Sequence, residues 1–161
     1  MQVIRSWTRW AALIVLLAIV AAVSVLGSAV TVPKIPGWYA SLNKPAFNPP
    51  AWVFGPVWTA LYVMMAVAAW RVWLQPAIPE RRTALAWFAL QLALNAAWSQ
   101  VFFGLERPGW ALAVIVALVV AVAVTLWRFF RLDRLAGWLL APYLAWLLFA
   151  TVLNGAVVAL N

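Results

Sequence analysis

Apolar residues run along the chain in five long blocks separated by polar breaks. The blocks are predicted to cover residues 10–32, 51–74, 83–103, 109–130 and 135–160. Each is close to the roughly 20 residues that an α-helix needs to cross the hydrocarbon core of a bilayer. Three breaks are short, QPAIPERR, GLERPG and RFFRLDR, and short connections join antiparallel neighbours. The pattern therefore predicts an all-α integral membrane protein, one five-transmembrane-helix bundle over 1–161, with the longer Pro- and Lys-rich stretch 33–50 as a lid loop.

Composition supports this interpretation and removes several kinds of chemistry. The chain is 68% hydrophobic and only 9% charged, which does not fit a water-facing surface. It has no cysteine and no histidine, so disulfides, thiolate or histidine metal sites and histidine general-base catalysis are excluded. The three carboxylates, Glu80, Glu106 and Asp133, all lie in polar breaks, so ion-coupled transport is not expected. We expect no metal site and no required cofactor.

The basic residues predict the orientation of the bundle. Counting Lys and Arg on alternate sides of the blocks gives eight on one side (Arg5, Arg9, Arg71, Arg81, Arg82, Arg128, Arg131, Arg134) and three on the other (Lys34, Lys44, Arg107). Cytoplasmic loops carry the excess of positive charge, so the N-terminus is predicted to be cytoplasmic and the C-terminus exoplasmic. Because these charges are spread over several loops, the net charge of +8 does not predict a nucleic-acid partner.

The first block also has features of a signal peptide, since Arg5 and Arg9 precede an apolar stretch. It is longer than the usual 7–15 residues of a signal core, which favours a retained helix. No mitochondrial-type presequence is visible before it, and a multi-pass protein of a bacterial cell membrane is expected.

The thirteen tryptophans divide by depth. Most lie near the ends of blocks, as in the aromatic belt of a membrane protein. Trp58, Trp98 and Trp146 instead fall inside blocks, at roughly 10, 8 and 20 Å from the outer face by helical rise, and Asn95 lies at roughly 12 Å. Polar residues at such depth either bond between helices or line a cavity. Because stripes on three helices reach similar depths under one loop, the pattern favours a pocket there.

Two further features have more than one interpretation. Pro56 and Pro142 fall inside blocks, where they either produce ordinary kinks or widen the bundle. Small residues recur in blocks three and four, where they serve either packing inside the bundle or a homodimer. They are Ala89, Ala93 and Ala97 in the third block and Ala113, Ala117, Ala121 and Thr125 in the fourth.

Three segments, WYASLNKPAFNPPAWVFGPVWTALY, LNAAWSQVFFG and PYLAWLLFATVLN, resemble the tryptophan-rich sensory protein and translocator protein family (TspO/MBR). The resemblance extends in order over essentially the whole chain. It implies a five-helix bundle, commonly dimeric, that binds porphyrins and, in animal members, cholesterol and synthetic drugs under the first loop. The residues that the resemblance assigns to the pocket, together with Ser99 from the polar stripe, are Trp38, Tyr39, Pro49, Trp52, Phe54, Trp58, Tyr62, Asn95, Trp98, Trp146 and Ala150.

The chain departs from the family pattern at two places. Many relatives have a tryptophan two residues before the paired prolines, where this chain has Phe47, so ring stacking on a ligand is expected to differ there. Animal members also carry a C-terminal cholesterol pattern in which Lys or Arg follows a tyrosine. No Lys or Arg follows Tyr143, so sterol binding by that weak pattern is not expected.

The resulting hypothesis is a membrane receptor, sensor or carrier for tetrapyrroles such as protoporphyrin IX. Metal-free porphyrin is the expected ligand, because the chain lacks the His and Cys that commonly ligate haem iron. Lys34 and Lys44 either pair with porphyrin carboxylates or are ordinary interfacial lysines. The alternative is an enzyme that degrades porphyrin with light or oxygen, using Trp38 and Trp146 as radical relays. Since the chain shows no acid/base pair, catalysis is the less expected function.

Overall fold

The computed structural model describes residues 6–161, and all the regular structure in that range is helical. The five long helices are α1 (Ser6–Thr31), α2 (Ala51–Trp73), α3 (Pro79–Ser99), α4 (Pro108–Leu132) and α5 (Arg134–Leu160). They confirm the predicted all-α bundle of five helices. Arg5, which contributes to the predicted charge asymmetry, lies outside the described residues.

Four of the helices are long and apolar enough to cross a membrane: α1 with its extension, α2, α4 and α5. The third helix is less apolar, because its first turns hold Glu80, Arg81 and Arg82 and its middle holds Gln91 and Asn95. It still belongs to the bundle, where it packs mainly against α4 and also against α1 and α2. Gln91 and Asn95 are buried, so the polar side chains of α3 face its neighbours.

The first helix does not stop at the predicted residue 32. It continues as a 3₁₀ turn (Val32–Lys34) and a π-helical turn (Ile35–Tyr39). Pro33 and Pro36 lack an N–H and interrupt the regular α-helical hydrogen bonds, which explains the change from α-helix to 3₁₀ and π-helical turns here. The predicted lid 33–50 is therefore helical in its first part, and its irregular part begins after residue 41.

The inner part of the bundle is built from small side chains in close contact. Ala66, Ala68 and Ala69 of α2 are completely buried, and Phe88 of α3 stacks on Phe129 of α4 with ring centroids 5.9 Å apart. Small residues allow helix backbones to approach closely, which replaces the missing hydrophobic driving force in a membrane with van der Waals contact.

Asp133 lies between α4 and α5, at the end of the bundle opposite the lid. Its carboxylate accepts hydrogen bonds from Arg71 Nε (3.1 Å) and Nη2 (2.8 Å), and it caps α5 by accepting from the Ala136 N–H at 2.9 Å. Burial alone would raise the pKa of the Asp133 carboxyl, but the hydrogen bonds from Arg71 and Ala136 outweigh it and hold the pKa below its ordinary value. The carboxylate thus ties α2 to the α4–α5 connection.

The small-residue stripes divide between interior and surface. On α4, Ala121 and Thr125 are buried at 2% and 0% exposure, so this half of the stripe packs inside the bundle. Ala113 and Ala117 of α4, like Ala89 and Ala93 of α3, are exposed. The exposed members leave the predicted homodimer as an open prediction.

Candidate ligand-binding site

A cavity of about 420 Å³ lies between α1, α2, α3 and α5, next to the extension of α1 over residues 32–39. Its volume falls in the range typical of small-molecule sites, about 300–1,000 Å³. The lining residues from α1 and its extension are Ser24, Gly27, Ser28, Thr31, Val32, Ile35 and Tyr39. Those from the other helices are Ala51, Phe54, Gly55, Trp58, Thr59, Tyr62, Asn95, Trp98, Ser99, Phe102, Phe103, Trp146, Ala150, Leu153, Asn154 and Val157.

Nine of the twelve residues predicted for the site line this cavity: Tyr39, Phe54, Trp58, Tyr62, Asn95, Trp98, Ser99, Trp146 and Ala150. The structure therefore brings together residues that are as far apart in sequence as Tyr39 and Ala150. Helical rise had placed Trp58, Asn95, Trp98 and Trp146 at similar depths, and the family resemblance had indicated all of the nine except Ser99.

The other three predicted residues do not line the cavity. Trp38 packs edge-on against Phe102 and Phe103, with centroid distances of 5.7 and 6.2 Å. Pro49 lines a separate groove on the outside of α2 and α5, and Trp52 is 75% exposed. Their predicted roles at the cavity have no support from the geometry.

Aromatic rings supply the larger walls of the cavity. Trp58 lies against Tyr62 at 5.5 Å on α2, and Trp98 stacks on Phe102 at 5.1 Å at the end of α3. Trp146 of α5 meets Phe54 edge-on at 5.9 Å. Rings held by neighbouring rings offer broad, rigid apolar surfaces, so the cavity is suited to a flat apolar ligand.

Two hydrogen-bonded chains hold these walls in place. Tyr62 donates to Asn95 Oδ1 at 2.7 Å, and Asn95 Nδ2 donates to the Tyr143 hydroxyl at 2.9 Å. Trp98 Nε1 donates to Asn154 Oδ1 at 3.1 Å, and Asn154 Nδ2 donates to a backbone carbonyl of α4 at 2.9 Å. The polar residues within the bilayer therefore serve both predicted roles, since they join helices and also line the cavity.

Sequence reasoning missed the contribution of α1. Ser24, Ser28 and Thr31 line the cavity together with Gly27, at spacings that place them on one face of the helix. A Cβ at Gly27 would lie 3.2 Å from Ser99 Oγ, so the glycine allows α1 to approach α3 closely. Three hydroxyls at helical spacing in an otherwise apolar block were the signal that could have found this wall.

The side chains that line the cavity are uncharged, and both candidate lysines are engaged elsewhere. Lys34 forms an ion pair with Glu106 of the α3–α4 connection. Glu106 has a backbone φ of 55°, a conformation that is uncommon for a residue other than glycine. Lys44 donates to the carbonyl oxygens of Tyr39 (2.7 Å) and Leu42 (2.8 Å), which end the extension of α1. The lysines thus fix the lid.

Further contacts tie the irregular part of the lid to the bundle. The Asn43 N–H donates to Asn161 Oδ1 at 2.9 Å, and the Tyr39 hydroxyl donates to Asn48 Oδ1 at 3.0 Å. Phe47 meets Phe149 of α5 edge-on at 6.4 Å, so it packs as part of the lid. Within residues 6–161, no three His, Cys, Asp or Glu side chains come close enough together to hold a metal ion.

Comparison with known proteins gives a consistent result. The model of the TspO/MBR family matches residues 14–160. A tryptophan-rich sensory protein of Cereibacter sphaeroides is 44% identical over 152 residues, which cover 94% of this chain and 92% of that protein. The tryptophan-rich protein TspO of Archaeoglobus fulgidus is 40% identical over 142 residues, 88% of this chain and 92% of the relative. The human translocator protein is 43% identical over 122 residues, 74% and 72% of the two chains.

Proposed function

The chain belongs to the TspO/MBR family of integral membrane proteins, and on that premise we propose that it is a receptor or carrier that binds tetrapyrroles such as protoporphyrin IX in the cavity. The observation that carries the proposal is the set of aromatic walls around about 420 Å³ of space, beside a fixed lid. A porphyrin is a flat apolar macrocycle, and indole and phenol rings bind such surfaces by stacking.

The uncharged lining sets the expected pose of the ligand. Transferring a carboxylate from water into an apolar site without a cationic partner costs several kcal/mol, so the propionates of a porphyrin should remain at the mouth of the cavity. The macrocycle would then occupy the space between Trp58, Trp98 and Trp146.

A fluorescence titration with matched variants tests the proposal. Protoporphyrin IX added to the detergent-solubilised protein should quench its tryptophan emission with saturation at micromolar ligand. Trp146→Phe and Asn95→Ala should weaken binding several-fold, because they remove stacking surface and a wall-orienting hydrogen bond. Trp110→Phe is the control, since Trp110 is 73% exposed and does not line the cavity. Unchanged affinity in both cavity variants would contradict the proposal.

We further propose that the protein resides in a bacterial cell membrane with its N-terminus in the cytoplasm and that it forms a homodimer. The distribution of basic residues supports the orientation. The exposed Ala89 and Ala93 of α3 support the dimer, because small residues permit close helix contact. Since the chain has no cysteine, single-cysteine variants at Trp7 and Asn161 can be labelled with an impermeant maleimide. Labelling of position 161 alone from outside the cell is the expected result.

A further inference from the structure

One face of α4 points outward along most of the helix. Its exposed residues recur every three or four positions and are Ala113, Val116, Ala117, Val120, Ala123, Trp127 and Arg131. All but the last two are small or aliphatic. This stripe is therefore an apolar surface that faces away from the rest of the bundle and ends, in the last two turns of α4, at an indole and a guanidinium.

Two arginines lie against the indole at the end of this stripe. The guanidinium carbons of Arg128 and Arg131 lie 5.7 and 5.2 Å from the centroid of the Trp127 ring, which is 53% exposed. Neither arginine forms an ion pair with a carboxylate in residues 6–161. The Nε–H of Arg128 is enclosed and has no hydrogen-bond acceptor within the described chain. An enclosed donor without an acceptor is uncommon in folded proteins, so no internal hydrogen bond fixes this side of the Arg128 guanidinium.

The carboxylates at the same end of the bundle cannot neutralise these arginines. Arg9, Arg71, Arg81, Arg82, Arg128, Arg131 and Arg134 belong to this end, against only Glu80 and Asp133. Asp133 is occupied by Arg71, whereas Arg81 donates to two backbone carbonyls of the α2–α3 connection. The cluster of Trp127, Arg128 and Arg131 therefore keeps an unbalanced positive charge where a helix leaves the membrane.

We propose that Trp127, Arg128 and Arg131 bind the headgroup of an anionic phospholipid whose acyl chains lie along the exposed face of α4. Guanidinium groups recognise phosphate oxygens by charge-assisted hydrogen bonds, and an indole at this depth suits the headgroup region. The continuous apolar stripe through Val116 and Val120 argues for a lipid rather than free phosphate, because a free ion would gain nothing from that surface. The site is separate from the cavity and does not depend on the proposed function.

Native mass spectrometry of the detergent-solubilised protein tests this site. Palmitoyl-oleoyl phosphatidylglycerol and palmitoyl-oleoyl phosphatidylcholine differ in net charge but share their acyl chains. The wild-type protein should retain the anionic lipid preferentially. In the Arg128→Gln/Arg131→Gln variant, retention of that lipid should fall by about tenfold, to the level of the zwitterionic lipid, because each arginine near the membrane surface contributes to the attraction.

Control variants separate a built site from general charge attraction. Arg107→Gln removes a positive charge at the other end of the bundle and should leave the lipid preference unchanged. Trp127→Leu keeps both arginines and should lower the preference by several-fold. Retained protoporphyrin binding or an unchanged melting temperature would show that a variant is folded, so that loss of lipid is not loss of structure.

Four results would overturn the proposal. The first is an absence of preference in the wild type, and the second is an equal loss in Arg107→Gln. The third is complete competition by millimolar glycerol phosphate, which would indicate a phosphate site without a lipid. The fourth is retention of the lipid by the monomer alone, with loss on dimerisation, which would indicate that a second copy covers this face of α4.

Discussion

The two halves of α2 show how the same helix serves two different parts of the bundle. In the half next to the lid, here called the outer half, Trp58 and Tyr62 border the cavity. In the other half, the inner half, Ala66, Ala68 and Ala69 are completely buried against neighbouring helices. The rings of Phe54 and Trp146, packed at 5.9 Å between α2 and α5, hold these helices apart, while alanines let the backbones approach. The position of the cavity thus follows from side-chain size along the helices, and the two halves should respond differently to substitution.

The largest effect on stability is expected at Asp133, which contacts Arg71 at the end of the inner half of α2. Asp133→Ala removes the ion pair with Arg71 and the cap of α5 together, so we expect a loss of about 3 kcal/mol in the free energy of unfolding. Thermal unfolding in detergent measures it. Asp133→Asn should lose less, because asparagine can still cap the helix. A stability close to wild type in Asp133→Ala would contradict the role assigned to this carboxylate.

The same carboxylate gives a pH dependence with a defined sign. Since its pKa is lower in the folded protein than in the unfolded chain, its contribution is fully present above the unfolded pKa, about 4. That contribution is lost as the pH falls from there through the folded pKa. The difference in melting temperature between wild type and Asp133→Asn should therefore shrink between about pH 5 and pH 3. A difference that stays constant over this range would exclude the linkage.

The same Gly→Ala substitution at the two ends of the bundle offers a matched pair. A Cβ on Gly137 would lie 2.3 Å from the Phe130 ring at the α4–α5 connection, whereas a Cβ on Gly55 beside the cavity would meet nothing within 4 Å. Gly137→Ala should lower the free energy of unfolding by about 1–3 kcal/mol through overpacking. Gly55→Ala should be neutral or stabilising by up to about 1 kcal/mol, because alanine favours the helix. Equal destabilisation by both would contradict the contrast between the halves.

Filling the cavity should separate binding from stability. Ala150→Leu adds three carbons to a wall of the cavity, so protoporphyrin binding should weaken by about tenfold or more, which corresponds to about 1.4 kcal/mol. The melting temperature of the free protein should change little, since the added side chain enters open space. Fluorescence titration and thermal unfolding of the same sample provide both values. Ala156→Leu, on the same helix outside the lining, is the control.

Much of this arrangement could be predicted from the sequence, and the misses have physical causes. The polar residues Asn95 and Ser99 stood out because polar side chains inside apolar blocks are rare, and helical rise gave the depth of Asn95. The wall from α1 was missed because Ser24, Gly27 and Ser28 are small and carry no aromatic signal. Trp38 was assigned to the cavity by the family resemblance, whereas the structure packs it against Phe102 and Phe103. The ion pair between Lys34 and Glu106 joins residues 72 positions apart, which no local pattern could indicate.

The smallest predicted effect concerns the lid, which belongs to the outer half yet is held by charges. The side chains of Lys34 and Glu106 are 38% and 37% exposed, so their ion pair should contribute no more than about 1 kcal/mol to stability. Its effect should be seen in kinetics, since it fixes the α1 extension to the α3–α4 connection beside the cavity. In Lys34→Met, in Glu106→Gln and in the double variant, stopped-flow displacement should show protoporphyrin leaving about two- to threefold faster. The double variant should be no faster than either single one, because both break the same contact.

Arg107→Gln, which removes a neighbouring exposed charge, should leave the rate unchanged. If the rate increases of the two single variants multiplied in the double variant, Lys34 and Glu106 would act independently. The aromatic contacts of the lid would then close the cavity without help from this ion pair.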